Sequence, residues 1–322
     1  MNLVLPLAGK ANRCDGRFAP INNMTLKSAI DEYLEIVKES RSTKTLKTYQ
    51  SVLYLFLGIV GKSAPVSVDT YISFLRKSSE MPYSTQSLYR SALHGLFIHY
   101  AAKHPEINLA ALQAADKQYT RRRPTRILDF DQDSIERILE KASAMRSNLE
   151  ELRNRAFVVC LADSGLRIEE ACSLRRGDVN WKAKNATVIG KGDKQAIVRF
   201  RDRSMSALKD YLNARAEMDG KSGKPLESLP LFARHDRGAG AKVKPVKPGG
   251  MWLAVKTIAR SVDAGHVRVH DFRHYFVSTF YRNSRDLKAT QVAARHNSIG
   301  TTEKYTHLLG DFDKLYEEVM ER

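Results

Sequence analysis

Apolar residues recur at helical spacing from position 26 onward. Thr25 stands where a capping side chain belongs, and Leu26, Ile30, Tyr33, Leu34 and Val37 follow on one face. Three more helical stretches are predicted, Lys44 to Val60, Val68 to Glu80 and Ser84 to Lys103, separated by breaks at Gly61, Pro65 and Pro82. This pattern predicts a small helical bundle over residues 23–116, preceded by a tail of residues 1–22. The periodicity resumes at Asp131, a second cap, with Ile135, Ile138 and Leu139 behind it, and Leu152 to Ala162 forms a strongly apolar helix. Between Asn180 and Phe200 the period changes. Ala186-Thr187-Val188-Ile189 and Ala196-Ile197-Val198-Arg199-Phe200 flank Gly190-Lys191-Gly192-Asp193-Lys194, which reads as a β-hairpin with a glycine-rich tip. Helices return from Met205. Asp219 to Gly250 carries little signal apart from Leu229 to Ala233 and is expected to be a partly mobile loop. A last helix is expected over Asp311 to Glu321, with Leu315, Val319 and Met320 on one side. The fold class is mainly α with a small β-hairpin: a helical N-terminal domain and an α+β domain over residues 127–322.

The segment between them, residues 117–126, has no apolar periodicity and holds Lys117, Arg121, Arg122, Arg123 and Arg126 around Pro124. It reads as a linker whose basic residues are either simply solvated or in contact with phosphate. The whole chain shares this bias: 53 Lys and Arg against 36 Asp and Glu give a net charge of +17 in 322 residues, which suits a polyanionic partner. No stretch approaches the run of about 20 apolar residues that crosses a bilayer, and the N-terminus lacks the basic residues of a secretory leader. Nucleic acid is the expected partner and the cytoplasm, at the nucleoid, the expected location. The three cysteines, Cys14, Cys160 and Cys172, form no CxxC pair and fit neither a disulfide framework nor a zinc knuckle; the latter two are expected in the core. Gly61-Lys62-Ser63 ends like a phosphate-binding loop, but Phe56 stands where that loop needs glycine.

Four short patterns carry candidate chemistry, each common by itself. In Ser164-Gly165-Leu166-Arg167-Ile168-Glu169-Glu170 a glycine turn opens a helix with Arg167 and Glu170 on one face. Lys191 sits at the hairpin tip. His270-Asp271-Phe272-Arg273-His274 places His270 and Arg273 on a shared face. His296 to His307 contains Tyr305. In this order, and at separations of 24 residues from Arg167 to Lys191, 23 from Arg273 to His296 and 9 from His296 to Tyr305, the set resembles the catalytic domain of tyrosine recombinases, the phage-integrase and Xer-like family. The motifs cover residues 127–322, and the family places a helical core-binding domain where residues 23–116 lie. One departure stands out. The chain has Ala294-Arg295-His296 where the family usually has Leu-Gly-His, which brings the backbone turn before His296 into question.

The resemblance implies strand exchange through a 3′-phosphotyrosine intermediate and a Holliday junction, with no cofactor, ATP or metal. Tyr305 would be the nucleophile, Arg167 and Arg273 would hold the phosphate, His270 would take the phenol proton, Lys191 would protonate the leaving 5′ hydroxyl and His296 would add a hydrogen bond. Glu170 would orient its neighbours. Such side chains suit the chemistry, since a phenol of pKa about 10 needs help to ionise and guanidinium forks match the oxygens on which charge builds. The family also implies a clamp on specific duplex sites, a homodimer on each site and a homotetramer in synapsis, and a simple recombinase with no arm-binding domain before residue 23. Three rival readings remain at this level: a non-catalytic DNA-binding protein on the same fold, a type IB topoisomerase, and a zinc hydrolase built on the His270 and His274 pair.

Overall fold

The computed structural model describes residues 25–102, 104–105, 107–119, 131–190, 195–236, 238–240 and 242–309. The chain divides into two compact units, Met1–Thr125 and Arg126–Arg322.

The first unit is helical: α1 (Leu26–Ser40), α2 (Thr43–Val60), α3 (Val68–Ser78), α4 (Tyr83–Ala101) and α5 (Leu109–Tyr119). Thr25, Ser42 and Ser67 cap the first three helices, each accepting a backbone N–H from three residues on. Their apolar faces meet in an aromatic core, with Phe56 edge-on to Phe74 at 5.1 Å and Tyr71 edge-on to Phe97 at 5.2 Å. Gly95 makes room for Tyr33, whose hydroxyl would lie 2.0 Å from any Cβ at that position. Helix α5 lies where the sequence pattern shows no helix, and it absorbs Lys117, Gln118 and Tyr119 from the segment expected to be linker. Its apolar face is narrow, with only Leu112 and Ala115 buried. Polar docking completes it: Tyr71 donates to Asp116 at 2.6 Å, and the Arg76 Nε donates to the Tyr119 hydroxyl at 2.9 Å. Arg121, Arg122, Arg123 and Arg126 lie outside the described residues.

The second unit is built around α7 (Leu149–Ser164), preceded by α6 (Gln132–Ser143). Helix α7 is buried on every side from Ala156 to Ser164, as expected of a helix surrounded by others. Cys160 lies within it and Cys172 in the short α8 (Ile168–Ser173), both free and buried. A three-stranded antiparallel sheet follows, β1 (Val179–Asn180), β2 (Asn185–Ile189) and β3 (Gln195–Arg199), in that order. The expected hairpin is thus extended by one short strand. Ala186 pairs with Val198 on the core side, while Ile189 and Ile197 point outward. Then come α9 (Asp202–Ala214), α10 (Ala216–Gly220), α11 (Pro248–Arg260), α12 (Asp271–Ser284) and α13 (Leu287–Ala294), with a final 3₁₀ turn at Glu303–Leu309.

The segment read as a loop, Asp219 to Gly250, is anchored rather than loose in its first part. Arg215, fully buried, pairs with Asp219 and donates to the carbonyls of Pro230 at 2.9 Å and Leu231 at 3.2 Å. Antiparallel bridges join Arg175 to Pro230 and Ala233 to Pro245, and Phe232 packs edge-on against Phe157 at 5.0 Å. The reach of Arg215 to carbonyls 15 and 16 residues farther on leaves no periodic trace in sequence. The helix expected over Asp311 to Glu321 lies outside the described residues.

Candidate active site

Three stretches of the second unit converge. The first begins where α7 ends. Gly165 adopts a left-handed conformation, φ 60°, and a Cβ there would lie 2.5 Å from the Phe276 ring, so the turn demands glycine. Arg167 then caps α8. Its backbone N–H donates to Glu170 Oε2 at 3.0 Å, and its Nη1 donates to Oε1 at 2.7 Å. Glu170 is 6% exposed and Arg167 46%, so the carboxylate is fixed inside and the guanidinium reaches outward.

The second stretch is the start of α12. Asp271 ties this end down by accepting the Arg268 backbone N–H at 2.8 Å and its Nη2 at 2.9 Å. Arg273 is buried one turn in; its Nη1 donates to the Gly165 carbonyl at 2.6 Å and its Nη2 to the Ala294 carbonyl. His270 precedes the helix at the solvent edge, its ring edge-on to His274 at 4.7 Å.

The third stretch follows α13. Arg295 caps that helix at φ 57°, a left-handed backbone that costs a residue with a side chain about 1 kcal/mol. The turn that glycine would ordinarily make is therefore kept, with arginine in it. The Arg295 Nη1 donates to Glu170 Oε2 at 3.0 Å and its Nη2 to the Gly165 carbonyl at 3.2 Å. His296 Nδ1 lies 2.9 Å from the Thr302 hydroxyl, and Gln291 holds the His296 carbonyl at 3.1 Å. Tyr305 is 2% exposed, packed among Val277, Tyr281 and Ala294. Its hydroxyl is hydrogen-bonded to His274 Nδ1.

Electrostatics follow from this crowding of cations. Burial, then the charges of Arg273 and Arg167, hold His296 down at about 4, and burial, then His270, hold His274 at about 4. Packing around it and the Arg273 charge keep His270 below its ordinary value. Arg273 is drawn down to about 10 by burial and by Arg167 and Arg295. Burial alone would raise the Glu170 carboxyl, but the Arg167 N–H and the Arg295 charge outweigh it and the group stays below its ordinary value. Burial pushes the Tyr305 phenol up, against the pull of Arg273. At neutral pH the His274 and His296 imidazoles are neutral, the Tyr305 phenol is protonated and the arginines carry the charge, an arrangement that attracts an anion.

The pattern of the phage integrase family matches residues 129–310, more than half of the chain. The chain belongs to the phage integrase family. It is a tyrosine recombinase, a site-specific DNA strand breaking and rejoining enzyme. Among its relatives, the tyrosine recombinase XerC of Xylella fastidiosa (strain 9a5c) is 30% identical over 291 residues, covering 87% of this chain and 90% of that protein. The XerC of Herpetosiphon aurantiacus is 25% identical over 307 residues, covering 92% and 96%. Among solved structures, the XerH recombinase bound to its palindromic difH substrate superposes with a TM-score of 0.66 at 21% identity, covering 90% of this chain and 84% of that one. A lambda integrase dimer bound to a COC′ core site gives 0.64 at 18%, covering 88% and 95%. These two likenesses establish a shared fold.

Within this recombinase, Arg167, Glu170, His270, Arg273, His296 and Tyr305 fall in the three converging stretches. Lys191 lies outside the described residues, although β2 and β3, whose tip it occupies, are described. Two residues at the site are not found by sequence reasoning. His274, which sequence suggests only as a zinc ligand, holds the tyrosine hydroxyl; its i, i+4 spacing from His270 is the available signal. Arg295 stands out in sequence only as a departure in the turn, and nothing there points its side chain at Glu170. Among the described residues, no helix is long and apolar enough to cross a membrane.

Proposed function

We propose that Tyr305 attacks a DNA phosphate held by Arg167 and Arg273, releasing a 5′ hydroxyl and leaving a 3′-phosphotyrosine that a second 5′ hydroxyl resolves, first to a Holliday junction and then to recombinant duplexes. The observation that supports this reading is the convergence of residues 165–170, 270–274 and 295–305 on one cationic cluster with the tyrosine hydroxyl inside it. The phosphodiester oxygens gain charge as the bond breaks, and preorganised guanidinium donors stabilise that charge without reorganising. His270 accepts the phenol proton, Lys191 donates one to the leaving oxygen, and His296 donates a hydrogen bond to the phosphate. Each acid or base contributes about 10²- to 10⁴-fold. In the conformation described, the Tyr305 hydroxyl is bonded to His274 rather than His270, so attack requires the phenol to leave that contact.

The helical N-terminal domain of residues 23–116 and the linker over 117–126 supply further duplex contacts through Lys117, Arg121, Arg122, Arg123 and Arg126. A dimer occupies each recombination site and a tetramer carries out synapsis, in the cytoplasm at the nucleoid. Integration, excision, inversion and chromosome-dimer resolution all use this chemistry, and a repeat flanking the gene would point to a mobile element.

The test is covalent capture. The full-length protein is incubated with a pool of nicked duplexes of randomised sequence, in EDTA, and SDS-resistant adducts are recovered and sequenced. The expected result is an adduct enriched for one sequence and lost in Tyr305→Phe. An adduct that persists in the phenylalanine variant would overturn Tyr305 as nucleophile. Binding enrichment without any adduct would favour a purely DNA-binding role, and an adduct without sequence preference would favour a topoisomerase.

A further inference from the structure

The Glu170 carboxylate is shared by two arginines. Arg167 Nη1 takes Oε1, while Arg295 Nη1, together with the Arg167 backbone N–H, takes Oε2. A lone carboxylate facing a lone guanidinium closes fork to fork, with two parallel N–H···O bonds that use up one edge of the arginine. Arg295 occupies the oxygen that this second bond would need. Its other nitrogen shares the Gly165 carbonyl with Arg273 Nη1, so one side chain touches the acceptors that hold both of the other arginines. We propose that Arg295 is a positioning residue: by filling Glu170 Oε2 and bridging to the Gly165 carbonyl, it holds Arg167 to a one-point contact and sets it and Arg273 at the spacing that grips the scissile phosphate.

Two independent features support a role for the side chain. Residue 295 bears it at φ 57°, where glycine is favoured, and its Nε is buried with no hydrogen-bond partner among the described residues. Strain and an unmet buried donor persist where the surroundings depend on the group. The inference rests on the reading of Arg167 and Arg273 as the phosphate-holding pair.

The test uses full-length protein and the duplex captured by the parent, with affinity and the first-order rate of phosphotyrosine formation at saturation measured separately. Arg295→Gly places the favoured residue in the turn, so the melting temperature and DNA affinity should hold. Adduct formation should slow on the order of 10- to 100-fold, the range seen when supporting contacts around reacting groups are lost. In a Glu170→Gln background the same substitution should add little further loss, because Arg295 acts through that carboxylate. Arg295→Lys, which keeps the charge without the fork, should remain slow. An unchanged rate in Arg295→Gly, full rescue by lysine, an undiminished loss in the Glu170→Gln background, or a fall in affinity with the rate preserved would each overturn the proposal. If the parent itself forms no Tyr305 adduct, the reading of the phosphate site fails first, and the positioning role of Arg295 falls with it.

Discussion

Lowering the pH from 7.5 to 5 should destabilise the second unit before its carboxylates begin to protonate. His274, His296 and His235 are each held at about 4, against an ordinary value of 6.5, all by burial first. For His235 the adjacent Arg153 and Arg215 add to the effect, and its Nε2 stays paired with the Tyr211 hydroxyl at 2.8 Å. Because the folded values lie below the unfolded one, the unfolded chain binds these protons more tightly. Stability is whole above pH 6.5, falls as pH drops toward 4, and declines no further on their account below that. At pH 5 each imidazole contributes a loss of about 2 kcal/mol before screening by water, at about 1.4 kcal/mol per pH unit. With screening, a combined loss of about 3 kcal/mol is a fair magnitude, or roughly 6–12 °C in Tm for a unit of this size. Thermal unfolding followed by near-ultraviolet circular dichroism across this range is the assay. The double variant His274→Gln, His296→Gln should flatten the slope, leaving the share of His235. A Tm that stays level between pH 7 and pH 5, or a slope unchanged in the double variant, would refute the reasoning.

Two further outcomes are expected. Asp163, its side chain 1% exposed, accepts two bonds from Arg203 Nε, at 2.9 and 3.0 Å, and one from the Ser204 hydroxyl at 2.6 Å. Asp163→Ala strips these donors of their acceptor and should cost about 3 kcal/mol in urea unfolding, whereas an unchanged midpoint would show the cluster to be ornamental. Replacing Lys117, Arg121, Arg122, Arg123 and Arg126 with glutamine should weaken binding to every duplex alike and shrink the salt dependence by about 0.9 in log–log slope per lost phosphate contact. Fluorescence anisotropy over a salt series checks this, and a loss confined to one sequence would assign these residues to base reading instead.

Much of the architecture is legible in the sequence because it rests on local chemistry. Thr25 and Asp131 announce their helices by capping, and both cap as expected. The hairpin strands show their two-residue period and their glycine-rich tip. Helix α5 is not legible, since it is held by Tyr71 and Arg76, some 40 residues earlier in the chain, and its own apolar stripe is too thin to announce it. The same limit applies at the site. Arg167, Glu170, His270, Arg273, His296 and Tyr305 can be named from order and spacing within a recognised family, but which histidine touches the tyrosine depends on how the turn at Glu303–Leu309 packs against α12. Arg295 is the sharper case. Its backbone role is anticipated by position, while its side-chain role exists only because Glu170, 125 residues earlier, is folded beneath it.

The carbonyl of Gly165 accepts from Arg273 and from Arg295, which lie 108 and 130 residues farther along the chain. A ribosome must therefore release most of the second unit before the first of these partners exists, and long-range closures of this kind form late. The helical first unit emerges much earlier, with its core already complete in sequence. During synthesis the helical first unit can thus fold well before Arg273 and Arg295 reach the Gly165 carbonyl, and the cluster around Tyr305 is the later of the two to assemble.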